Sequence, residues 1–97
     1  MTGKIRFEWN ERKVETNLRK HKIGFELASH VFADEFALTE LEGTEHGEAQ
    51  YTTTGQVGSA LIVVSHTYRE EGGIEIIRII SARKATRSER RQFEENT

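Results

Sequence analysis

Two apolar runs set close together, Ser59–Tyr68 and Ile74–Ala82, constrain this chain more than any other feature of its sequence. From Ala60 to Val64 every residue is apolar, so both faces of that strand need cover, as happens at the centre of a sheet. A tight turn at Glu70–Gly73 brings Ile74–Ala82 back as a second central strand. Two further strands are expected before this pair, at Phe36–Leu41 and Glu48–Thr54, with a polar loop at Gly43–Gly47 and a turn bracketed by Gly55 and Gly58. At the start of the chain, Lys4–Trp9 sets Ile5, Phe7 and Trp9 against Arg6 and Glu8, the period-2 pattern of a half-buried strand. Asn10 can then cap a helix running to about His21, with Gly24 placed to stop it, and a shorter helix follows from Phe25 to about Phe32. Thr86-Arg87-Ser88-Glu89 is a capping-box pattern that opens a last helix over Arg87–Glu95. The order β-α-α-β-β-β-β-α predicts an α+β fold: a single compact domain, residues 1–97, with helices packed on an antiparallel sheet.

Composition narrows the classes of function. Cysteine is absent, which removes disulfides and thiolate metal sites from consideration. No apolar run approaches the roughly 20 residues that span a bilayer, and no signal-peptide pattern opens the chain, so a cytoplasmic protein without membrane contact is expected. The net charge of −2 conceals an asymmetry. Between Ile23 and Ile77 there are ten acidic residues and one base, Arg69, while the other thirteen bases lie in the two end segments with six acids. One basic cluster is Arg12, Lys13, Arg19, Lys20 and Lys22; the other is Arg78, Arg83, Lys84, Arg87, Arg90 and Arg91. If the fold joins the ends, these make a basic face suited to a phosphate backbone or an acidic partner. Charge alone favours the plainer reading, helix surfaces balanced by Glu11, Glu15, Glu89 and Glu94 as neighbours one turn away.

Phe7-Glu8-Trp9-Asn10, Asn17-Leu18-Arg19-Lys20-His21 and Ile23-Gly24-Phe25-Glu26 together resemble the opening signature of the BrnT toxin family. Ile79-Ile80-Ser81-Ala82-Arg83-Lys84-Ala85-Thr86 and Glu89-Arg90 resemble its closing signature. The resemblance implies a RelE-like fold, a ribonuclease activity that arrests translation and growth, and neutralisation by a BrnA-like antitoxin. DNA would be contacted only indirectly, through the antitoxin's ribbon-helix-helix domain. No cofactor is implied.

Metal-free RNA cleavage drives the ribose 2′-hydroxyl onto the adjacent phosphate. It needs a base for that hydroxyl, cations for the growing phosphate charge and an acid for the departing 5′-oxygen. His21 is the titrating candidate, because an ordinary imidazole exchanges protons near neutrality. Lys20 can anchor phosphate, Arg83 can offer a two-pronged donor, Arg69 sits at the central hairpin, and Glu48 is the alternative base. Lys13, Arg19, Lys22, Arg78, Lys84 and Arg87 are the expected RNA-binding cations. Each has a plainer role: His21 ends a helix, where the dipole favours a cation, and its ring can cover the core edge. His30, His46 and His66 are expected at the surface or a strand edge, and no histidine pair has the i,i+4 spacing of a metal site. Trp9 and Tyr68 could stack on bases, with core packing ranked first for Trp9.

Strict alternation along Ile74–Arg83 puts Arg78 and Arg83 on opposite faces, so both serve one site only if the strand ends in a bulge or Arg83 lies beyond the sheet. The chain also departs from the family pattern. Gln50 stands where many members have arginine, and Thr52 and Thr54 where they have larger apolar residues. If that arginine binds phosphate, its loss weakens or abolishes cleavage. Two other readings therefore stay open: a weakened homologue acting as a protein-binding partner in operon autoregulation, and a non-catalytic RNA-binding module.

Overall fold

A computed structural model describes residues 4–45 and 47–96. The elements are β1 (Lys4–Glu8), α1 (Glu11–His21), α2 (Phe25–Ser29) running into a 3₁₀ turn (His30–Ala33), β2 (Leu38–Glu45), β3 (Glu48–Val57), β4 (Ala60–Glu71), β5 (Ile74–Lys84) and α3 (Arg87–Glu95). They form one five-stranded sheet in the order β1-β5-β4-β3-β2. The α+β class and the element order are as expected. The sheet is mixed rather than antiparallel, because β1 pairs with β5 in parallel. A period-2 pattern identifies a strand but carries no information on its direction, and here the rest of the sheet is laid down between the two partners.

β4 and β5 occupy the centre, as their apolar runs require. They meet at a two-residue Gly72-Gly73 turn in which both φ angles are positive, 57° and 82°, a geometry glycine adopts without strain. One sheet face carries α1, α2 and the 3₁₀ turn over a core of Ile23, Phe25, Ala28, Val31, Ile62, Val64, Ile77, Ile79 and Ala82. Full burial of residues such as Phe25 or Ile62 is worth about 1.5–3 kcal/mol each. Trp9 packs into this core edge-on to Phe25, at a centroid distance of 6.1 Å. The opposite face buries Leu61, Val63 and Ile76, and Phe93 of α3 lines a cavity there with Val63 and Leu38. Thr52 and Thr54 line the same cavity.

Several boundaries differ from expectation for physical reasons. β3 continues through Gly55 to Val57, because Gly55 lets the 3₁₀ turn approach: a Cβ there would lie 2.9 Å from both the Cβ and the carbonyl oxygen of Val31. β2 runs to Glu45, since an edge strand tolerates the polar residues that read as a loop. α1 is capped at Asn10, whose Oδ1 accepts from the Arg12 N–H at 2.8 Å. It stops at Lys22, in the left-handed region at φ 63°, while Gly24 serves instead as the N-cap of α2.

Candidate functional site

The decisive local feature is an extra residue in β5. Ser81 pairs with Ser65 and Ile79 with His66, so Ile80 has no partner and the alternation of β5 changes phase there. Ile77, Ile79 and Ala82 consequently all face the helix-bearing core, and Arg78, Ser81 and Arg83 all face the other way. The bulge resolves the conflict that strict alternation creates and sets Arg78 and Arg83 on one face, with Ser81 between them.

A second device joins that region to α1. β1 reaches only as far as the Glu8–Arg78 pair, leaving the rest of the β5 edge without a strand neighbour. Buried Asn17 takes the neighbour's place. Its Nδ2 donates to the carbonyls of Ala82 (2.8 Å) and Ile23 (2.9 Å), and its Oδ1 accepts from the Ala82 N–H (3.1 Å). α1 is thereby fixed against the bulge, and Lys13, Thr16, Lys20 and His21 line a groove with Ile80 and Ser81. Lys13 and Lys20 are seven residues apart and so share a helix face. Among the described residues, no carboxylate lies within ion-pair distance of Lys13, Arg19, Lys20, His21 or Lys22. Among the described residues, only Arg90–Glu94 of the balancing pairs expected on the helices forms, at 3.8 Å. The α1 cations are thus exposed and uncompensated, not one half of a neutral helix surface.

The sheet-face arginines differ from one another. Arg83 is gripped by Glu89 in a two-pronged pair of 2.8 and 2.9 Å, and Nη1 also donates to the Lys84 carbonyl at 3.3 Å. Glu89 additionally accepts from the Thr86 N–H at 2.8 Å, completing the capping box. The Arg83 hydrogen bond, opposed by partial burial and reinforced by the Thr86 amide, holds the Glu89 carboxyl down at about 2. Arg69 donates to Glu71 at 2.8 Å and lies 3.4 Å from Glu8. Arg78 is exposed and makes no ion pair among the described residues.

Other expected candidates lie apart from the groove. Glu48 begins β3, next to the edge strand, and Arg69 is held by its own two carboxylates. Lys84 and Arg87 are exposed beyond Arg83, and Gln50 lines a shallow depression with Glu42, Gly43 and Thr44. His30 is exposed, and His46 lies outside the described residues. His66 is not at a strand edge but buried in β4. Its Nδ1 donates to the Thr67 carbonyl (3.1 Å), its Nε2 accepts from the Thr53 hydroxyl (2.7 Å), and Thr39 continues the chain at 2.8 Å. Burial lowers its pKa below the ordinary value and keeps the ring neutral, outweighing the Thr67 bond. Among the described residues, no cluster of three or more histidine or carboxylate side chains is disposed to hold a metal, and no helix is long and apolar enough to cross a membrane.

Asn17 and Ser81 are the residues that reading the sequence for chemistry overlooks. Asn17 does leave a signal, because a carboxamide falls on the inward stripe of α1 between Val14 and His21. Ser81 leaves none until the bulge is known.

Residues 9–89, which hold the Asn17 contacts, the β5 bulge and the Arg83–Glu89 pair, match the family model described as the ribonuclease toxin BrnT of type II toxin–antitoxin systems. The chain belongs to the BrnT family. No curated protein matches it significantly. The BrnT match runs from Trp9 to the capping-box Glu89, so it covers α1, the bulge, both groove lysines, His21 and Arg83. BrnT membership makes the chain a ribonuclease toxin by family and entails an antitoxin partner.

Proposed function

We propose that this BrnT-family chain is a metal-independent endoribonuclease of the cytoplasm, acting as one domain, that cleaves RNA to stop translation and growth until a BrnA-like antitoxin neutralises it. The observation that carries the reading is the Ile80 bulge, which gives Arg78 and Arg83 a common face and puts Ser81 on both that face and the His21 groove. An RNA strand entering here meets Lys13 and Lys20 as phosphate anchors, with Arg19, Lys22, Lys84 and Arg87 as outlying cations. The 2′-oxygen attacks phosphorus, the bond to the 5′-oxygen breaks, and a 2′,3′-cyclic phosphate and a free 5′-hydroxyl result. His21 carries one of the two proton transfers, and Arg78 and Arg83 stabilise the charge that builds on the non-bridging oxygens. Arg83 reaches phosphate by exchanging one bidentate anion, the Glu89 carboxylate, for another. Glu48 and Arg69 are not needed in this arrangement.

The test is cleavage of total RNA in EDTA by the purified, antitoxin-free chain, alongside His21→Ala and Arg83→Ala. Cleavage that is lost in folded variants supports the site. A second reading is favoured by one observation, that Arg83 is already neutralised while Gln50 supplies no replacement charge. In that reading the chain is a weakened homologue that works by binding its partner. A folded wild type that leaves RNA intact, and a Gln50→Arg variant that cuts it, would establish the second reading and overturn the first.

A further inference from the structure

The helices cover only half of their sheet face. On the other half an apolar strip crosses all five strands: Ile5, Ile77, Tyr68, His66, Tyr51 and Leu41 point to the same side by register. Ile5, Tyr68 and Leu41 are 47, 45 and 65% exposed, which is unusual for large apolar residues so close together. In the middle lies a pocket of about 360 Å³ walled by Phe32, Tyr51, Tyr68 and Ile77, with His66 at its base and Glu75 at its rim. Tyr51 stacks on His66 at 5.9 Å, and Phe32 meets the same ring edge-on at 4.9 Å. The Tyr51 and Phe32 walls are therefore held in place before anything binds.

The charges around this strip have one sign. Glu75 and Glu70 pair in register on the same face; burial raises the Tyr68 pKa, and the two carboxylates add to that rise. The only base between Ile23 and Ile77 is Arg69, which points to the opposite face and is tied to Glu8 and Glu71. His66 is neutral. Aromatic faces and a carboxylate around one pocket select a cation, and they repel a nucleic-acid backbone. Five strands about 4.8 Å apart make the strip roughly 19 Å long, a span that a helix of about 13 residues covers.

We propose that this half-face is the docking surface for a basic amphipathic segment of a protein partner, with an arginine or lysine side chain seated between Tyr51 and Tyr68 against Glu75. It rests on the reading that the chain has a protein antitoxin, and it assigns that partner an apolar stripe flanked by positive charge. The antitoxin is thus held on the face away from Arg78 and Arg83, and the arginine face need not be its primary contact.

The experiment titrates the full chain with two synthetic amphipathic peptides that share one leucine stripe, one carrying arginines on its polar face and the other glutamates. The arginine peptide should bind at least tenfold more tightly than its glutamate counterpart. Tyr68→Ala and Glu75→Gln, both at the rim and outside the core, should each weaken it about tenfold while leaving circular dichroism unchanged. Equal binding of the two peptides, or no binding of either, would overturn the proposal. So would a single-stranded RNA oligomer whose affinity falls in the same variants, or a self-association that Tyr68→Ala abolishes, which would give the surface to nucleic acid or to a second copy. RNA cleavage measured on the same samples reports separately on the ribonuclease site, so a failure of one reading is distinguishable from a failure of the other.

Discussion

On one face of the sheet the charged groups near the centre are Arg69, Arg78 and Arg83, two of them held by carboxylates. On the other they are Glu70 and Glu75, set beside exposed tyrosine. The first face takes its cations from the two central strands, Arg69 from β4 and Arg78 and Arg83 from β5, and, at its border, from α1; the second is built almost wholly from the acidic middle of the chain. Counting bases would make the first face strongly positive, yet of the three arginines near its centre only Arg78 is unpaired among the described residues. The uncompensated positive charge belongs instead to the α1 edge beside it. If the arginine face is catalytic, its arginine, pre-oriented by Glu89, loses little entropy when phosphate replaces the carboxylate. A docking face with fixed aromatic walls gains in the same way, for a ligand of the opposite sign.

The sharpest way to break this comparison is to damage one face and read the other. Arg83→Ala should lower cleavage by about two to three orders of magnitude, the usual cost of removing a donor to a developing oxyanion. Arg83→Lys should recover only part of it, because a point charge does not replace the fork. Tyr68→Ala should leave cleavage within about twofold. A Tyr68 variant that cuts RNA as poorly as the Arg83 variant would show that the two faces are not functionally separate.

Next in size is the link between the helix layer and the arginine face. Asn17→Ala leaves the Ala82 N–H and carbonyl and the Ile23 carbonyl without that partner, in a site with little water. Stability measured by urea unfolding should fall by about 2–3 kcal/mol. Cleavage should fall by more than the folded fraction accounts for, because His21 and Lys20 lose their anchor to the bulge. Activity that merely tracks the folded fraction would reduce Asn17 to a structural role.

These contacts also show what the sequence discloses and what it hides. The capping box at Thr86–Glu89, the Asn10 cap and the central hairpin are legible because each depends on residues within a few positions of one another. The parallel pairing of β1, the passage of Gly55 beneath Val31 and the grip of Asn17 on Ala82 depend on partners far along the chain. The bulge is the costliest omission. One unpaired residue, Ile80, inverts every face assignment after it, and no local pattern marks it. His66 is misplaced for a related reason: a histidine near the end of an apolar run reads as the strand's limit, but Thr53 from the neighbouring strand satisfies its ring and lets it stay buried.

The two faces should also separate on an acid titration. Burial keeps the folded His66 below its ordinary value of 6.5, so the unfolded chain takes up that proton first. Stability from this group is complete above about pH 6.5 and is lost as the pH falls through the folded value. Glu89 is held at about 2 against an ordinary 4.5, so its contribution is complete above 4.5 and disappears between there and about 2. Urea unfolding between pH 8 and 3 should therefore show two separate declines. His66→Gln should remove the upper one, and Glu89→Gln, which can still form the capping box, should remove the lower one. If either variant removed both declines, the faces would be coupled through the sheet.

The smallest effect separates stability from RNA contact at a single position. Lys22 caps α1 at φ 63°, where a side chain costs about 1 kcal/mol and glycine none. Lys22→Gly gives up some of that gain to the greater freedom of glycine in the unfolded chain, so a net stabilisation of about 0.5 kcal/mol is expected. It also removes a cation beside His21, at the edge that carries the uncompensated charge. RNA affinity should fall slightly, and the salt dependence of binding should become shallower by about one phosphate contact. Selection for stability alone would place glycine here. A more stable Lys22→Gly protein with weaker RNA binding would mean that the lysine is kept for its charge, whereas unchanged binding would confine the RNA-contacting edge of α1 to Lys13, Lys20 and His21.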